Sequence, residues 1–203
     1  DSTDSYRPPA PLGRGETTMA AFRLGTPNRR RAYYDHFSEE EMDRRWRAVR
    51  DMMDEQSLDA LVVYGNGGPE GTNVRYLTDY TPSFVTYLVL FADPDERSLL
   101  LAGRPNHHQY VREVALVDEV DTLLPDPPTK VVRRIEETDA AAGRVGIVGH
   151  APRYELSIPY RQYAALEAGL DADLIDATVP FGAVVATKSD EELFAGYLEG
   201  SRA

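Results

Sequence analysis

The chain has 203 residues, 34 Asp and Glu against 22 Lys and Arg, and a formal charge of −12. That length accommodates one ordinary domain or two small ones, and an apolar fraction of 42% belongs to a globular protein rather than a disordered one. With no cysteine, disulfides, thiolate metal sites and cysteine nucleophiles are excluded. The acidic balance argues against a nucleic-acid partner, no apolar run is long enough to cross a bilayer, and a cytoplasmic location without a membrane partner is expected.

Residues 1–37 are punctuated by Pro8, Pro9, Pro11, Gly13, Gly15, Gly25 and Pro27, which predicts an extended or disordered arm. Tyr33, Tyr34 and Phe37 are placed to pin its end to the domain that follows. A helix is expected over 39–56, with Ser38 as N-cap and Glu41 completing a capping box. Met42, Trp46, Val49 and Met53 form its buried stripe, and Asp43, Arg44, Arg47 and Arg50 its polar face.

Leu58–Tyr64 reads as a buried strand, followed by a glycine-rich loop over 65–71. Phe84–Phe91 and Ser98–Ala102 read as a hairpin about the turn Asp93-Pro94-Asp95. Then come a helix over 106–115, a strand near 119–123, a helix from Pro127 to about 141, and a strand at Arg144–Val148. A helix over 154–169, a strand at Asp173–Ile175 and a short extended piece at Val184–Val185 follow. Ser189 caps a last helix, with Glu192 closing a second capping box. That helix carries Leu193, Phe194, Tyr197 and Leu198, which require a packing partner in this domain or in a following one. A hairpin succeeded by alternating helices and strands predicts an α/β domain with a mixed, about six-stranded sheet.

No residue pattern carries chemistry by itself. Gly65-Asn66-Gly67-Gly68 follows a strand but fits neither phosphate-loop spacing, and reads as a surface loop. His107 and His108 point about 100° apart on a helix, unlike an i, i+4 zinc pair, and read as surface residues. His150 ends a strand and reads as a loop histidine. There is no GxSxG elbow, and the acidic runs at 39–41 and 190–192 are explained by helix caps.

Five stretches, in order, resemble the N-terminal domain of the creatinase/prolidase ("pita-bread" metallopeptidase) family. They are Phe37-Ser38-Glu39-Glu40-Glu41 with Arg45 and Arg47, Ser57–Val63, Asn73–Tyr80, Arg144–Val148 and Val185–Glu192. In the third, Asp79 stands where the family commonly has glycine. The resemblance implies helices on both faces of the mixed sheet, with the domain at 38–188 and with 189–203 starting a helix into a missing catalytic domain. It implies two divalent metal ions (Mn, Co or Zn) in that second domain, none in this chain, and no catalytic or metal-ligating residue here. The implied function is the non-catalytic N-terminal part of a metal-dependent hydrolase of the Xaa-Pro peptidase type, in a homodimer or homotetramer. In such assemblies the stretch after Asn73–Tyr80 reaches a neighbouring subunit's active site, which makes Tyr80, Phe84 and Arg75 the candidate substrate-binding residues. Creatinases place an Arg two residues after the Phe, whereas Thr86 follows Phe84 here, which weakens creatine as a substrate. The alternatives are a peptide- or protein-binding module that has lost its metal ligands, and a free-standing α/β interaction domain.

Overall fold

Alternation along the central strands fixes the architecture. In β1 (Ala60–Gly65), Leu61 and Val63 enter one core while Ala60, Val62 and Tyr64 enter the other. In β2 (Thr86–Phe91), Leu88 and Leu90 join the first core and Tyr87, Val89 and Phe91 the second. Both strands are apolar on both faces, the pattern of a sheet covered on each side. The structure, a computed structural model, describes residues 37–67, 71–149 and 158–194.

The remaining strands are β3 (Leu99–Ala102), β4 (Glu119–Asp121), β5 (Arg144–Val148) and β6 (Asp173–Asp176). The sheet order is β4-β3-β2-β1-β5-β6. β2 runs antiparallel to both its neighbours, while β4 is parallel to β3, β5 to β1 and β6 to β5. Val62 sits opposite Val89 on one side and Ile147 on the other. This is the mixed six-stranded sheet expected from the sequence.

One face is covered by α1 (Glu39–Glu55), α2 (Gly71–Thr78), α3 (His108–Val114) and α6 (Thr178–Ala186). The other is covered by α4 (Pro127–Glu136) and α5 (Tyr160–Gly169), through Val131, Ile135 and Leu166. Trp46 of α1 anchors the first layer, buried and donating from Nε1 to the Leu77 carbonyl at 2.9 Å.

Several local expectations are corrected. Val184–Val185 is not extended but lies within α6, where Phe181 is fully buried against Tyr76. The Asp176 carboxylate accepts from the Thr178 N–H at 2.9 Å at its start, so capping and tertiary packing override the β-branched pair. No helix was expected just after the glycine-rich loop, yet α2 begins at Gly71 and buries Val74 and Leu77. The hairpin strand starts at Thr86 rather than Phe84, because the Thr86 hydroxyl bonds back to the Phe84 carbonyl at 3.0 Å. The helix opened by Pro127 ends at Glu136, and a Thr138-capped 3-10 turn, Asp139–Ala142, completes the segment.

The first capping box is also only half made. Ser38 Oγ accepts from the Glu41 N–H at 3.1 Å, but the Glu41 carboxylate turns away to Arg44 and Arg45. The second box forms as expected: Glu192 N–H donates to Ser189 Oγ at 3.1 Å, and Ser189 N–H to the Glu192 carboxylate at 3.3 Å. It opens a helical segment at 190–194 on which Leu193 and Phe194 are exposed. The arm before Phe37, His150, the helix start at 154–157 and the chain after 194 lie outside the described residues. Among the described residues no helix is long and apolar enough to cross a membrane.

Candidate functional site

The strand directions gather a set of loops on one edge of the sheet. β1, β3, β4, β5 and β6 all end there, and β2 begins there. Open α/β sheets hold ligands at this carboxyl edge. The loop after β1, the loop at 79–85 before β2 and the turn after β3 therefore lie side by side.

The first two loops touch. A Cβ at Gly67 would fall 2.9 Å from the Ser83 carbonyl oxygen, so only glycine lets the chains approach this closely. Gly67 thus serves the packing of backbone on backbone.

The 79–85 loop is shaped by the end of α2. Thr78 Oγ1 donates to the Val74 carbonyl at 2.8 Å and accepts from the Tyr80 N–H at 3.2 Å. Asp79 then adopts φ +58°, the left-handed conformation that glycine takes most readily and Asp tolerates. The reversal buries Tyr80, 5% exposed, with its ring edge-on to Tyr110 at 6.4 Å. Phe84 is 48% exposed and stacks on His107, centroids 6.2 Å apart and planes 28° apart.

His107 and Tyr110 belong to consecutive pieces, a 3-10 turn at Pro105–His107 and then α3. Gly103, at φ +69°, reverses the chain out of β3 to place them. Tyr80 and Phe84 are thus brought to one helical surface. Arg75 lies partly buried on the last turn of α2, and no hydrogen bond, ion pair or ring contact among the described residues joins it to either. Sequence reasoning missed His107 and Tyr110 as partners of the loop. The only signal was the Gly103 turn that ends the hairpin and returns the chain to this edge.

The chemistry of the edge is contact and charge. His108 Nε2 donates to the Val120 carbonyl at 2.9 Å while His107 faces Phe84, so the two imidazoles serve separate partners. Among the described residues, no three His, Asp or Glu side chains gather as metal donors. What the edge offers is an exposed aromatic ring, Phe84, and a buried one, Tyr80.

The profile of the Creatinase/Prolidase N-terminal domain matches residues 45–185. No curated protein sequence matches the chain. Among solved structures, an aminopeptidase P (Xaa-Pro aminopeptidase) from Streptococcus thermophilus is 18% identical, at a TM-score of 0.53, covering 71% of this chain and 98% of that one. A Xaa-Pro dipeptidase from Bacillus anthracis is 15% identical, at a TM-score of 0.57, covering 76% of this chain and 38% of that one. The dipeptidase PepE from Mycobacterium ulcerans is 18% identical, at a TM-score of 0.59, covering 79% and 41%. At these identities the likeness is one of fold. The chain spans well under half the length of the latter two.

Proposed function

Because this chain belongs to the creatinase/prolidase N-terminal domain family, we propose that it is the non-catalytic N-terminal part of a metal-dependent hydrolase of the Xaa-Pro peptidase type, working in the cytoplasm. The observation that carries this reading is the domain match over residues 45–185. The names and greater lengths of the Bacillus and Mycobacterium neighbours support it. In this reading the domain occupies 38–188, residues 189–203 lead into a catalytic domain, and the divalent ions belong to that second domain. No bond-breaking step is assigned to the present chain.

Its contribution is to shape a substrate pocket across a subunit interface of a homodimer or homotetramer. Phe84 supplies the exposed ring, an anchor of large area and low entropy cost. Tyr80 is a positioning residue that sets the loop from beneath. Arg75, which has no ion pair among the described residues, supplies a cation for a substrate carboxylate. The test requires the parent protein. Phe84→Ala and Arg75→Gln should raise KM or lower kcat for a Xaa-Pro dipeptide, with metal content and far-UV circular dichroism unchanged. Unaltered kinetics in both variants would reduce this loop to a structural edge.

A further inference from the structure

The opposite edge of the sheet carries a second feature. An open cleft of about 410 Å³ lies between α1 and the segments flanking β3, bordered by Asp43, Trp46, Arg47, Arg50, Val117 and Asp118. Arg50 reaches over the Trp46 ring, 5.3 Å from its centroid, and its Nε meets the Phe91 carbonyl only at 3.5 Å. Arg47 donates from Nε to the Asp43 carbonyl at 3.3 Å. Among the described residues neither guanidinium forms an ion pair. Two cations one helical turn apart thus border the same cleft, each with donors left to give.

Arg50 is half-buried, and its burial is not fully compensated. Desolvation pulls its pKa below the ordinary guanidinium value, against the opposing charges of Asp118 and Asp93. An oxyanion held by Arg47 and Arg50 would supply the missing partner. A bare anion would also meet the negative charges of Asp43 and Asp118. Asp118 is held in place by Ser98, whose N–H and Oγ donate to its Oδ2 at 2.8 and 2.7 Å. Charges of both signs, with Trp46 and Val117 as apolar wall, match a molecule that carries both signs itself.

We propose that this cleft binds a small zwitterion, an apolar α-amino acid or a short peptide, with its carboxylate on Arg47 and Arg50 and its ammonium toward Asp43 and Asp118. The proposal does not depend on the peptidase reading, because it uses only groups of this chain. Trp46 is the sole tryptophan, so its selectively excited fluorescence reports on the cleft directly. The full chain is titrated with L-leucine, with L-leucinamide and with inorganic phosphate at constant ionic strength. L-leucine should give a saturable change, tighter than either control. Arg50→Gln and the surface variant Arg47→Gln should each weaken it by about ten-fold or more, the loss of a charged hydrogen bond. Asp43→Asn should weaken L-leucine and strengthen phosphate. A flat L-leucine titration, phosphate binding more tightly than L-leucine, or an unchanged Kd in Arg47→Gln would overturn the proposal, even if Arg50→Gln failed to fold.

Discussion

Glu191 takes the place in the cap of α1 that Glu41 holds in a local capping box. Its carboxylate accepts from both the backbone N–H and the Oγ–H of Ser38, each at 2.6 Å, across 153 residues of sequence. Glu41 is thereby released to pair with Arg45 at 2.7 Å and Arg44 at 2.8 Å. Arg44 and Arg45 also reach Glu192, at 2.9 and 3.3 Å. The first helix and the segment at 190–194 are therefore joined by one charged cluster.

This tie predicts a coupling. Ser38→Ala should destabilise the chain by about 2 kcal/mol, through the lost cap and the lost bond to a carboxylate. Glu191→Ala should cost a comparable amount. The double variant should cost less than the sum by about 1 kcal/mol or more, read from urea midpoints. Strict additivity would mean that the two residues act separately.

Glu41 predicts an acid sensitivity. Burial alone would raise its pKa, but hydrogen bonds from Arg44, Arg45 and Ser189 outweigh this and hold it at about 2, below the ordinary 4.5. A carboxylate depressed in the folded state contributes stability that is present above its unfolded pKa and is lost as pH falls toward the folded one. The window is thus from about 4.5 down to about 2. Glu41→Gln should be destabilised at pH 7 by about 2 kcal/mol, since Arg44 and Arg45 keep Glu192 as a partner. Its deficit relative to the native chain should shrink as pH falls through that window. A deficit independent of pH in urea melts would contradict the assignment.

Asp79 predicts a backbone preference. At φ +58° a β-branched side chain is strained, whereas glycine is not. Asp79→Val should be less stable than Asp79→Gly by about 2 kcal/mol, both variants having lost the carboxylate. Equal thermal midpoints for the two variants would show that the turn is free to take another conformation.

The sheet was legible because its central strands are apolar on both faces and end at glycine or proline punctuation, so that runs such as Leu58–Tyr64 and Arg144–Val148 admitted few other readings. Helix α6 was not, since Val184 and Val185 favour strand locally, whereas the Asp176 bond at its start and the seat of Phe181 against Tyr76 favour helix. The Ser38 spacing marks a helix start but not its partner, because Glu191 lies too far along the chain for any spacing rule to find. At the carboxyl edge, the Asn73–Tyr80 stretch marked the loop. The stacking of Phe84 on His107 depends on how Gly103 turns the chain, which residue spacing does not encode.

The parent protein and this 203-residue chain are best compared in one assay of Xaa-Pro dipeptide hydrolysis, with Mn²⁺, Co²⁺ or Zn²⁺ supplied. A non-catalytic domain requires turnover by the parent that a chelator abolishes, and neither turnover nor metal retained after dialysis in the chain alone. Chelator-sensitive hydrolysis by the chain alone, or a metal-loaded parent that cleaves no Xaa-Pro bond, would contradict this reading.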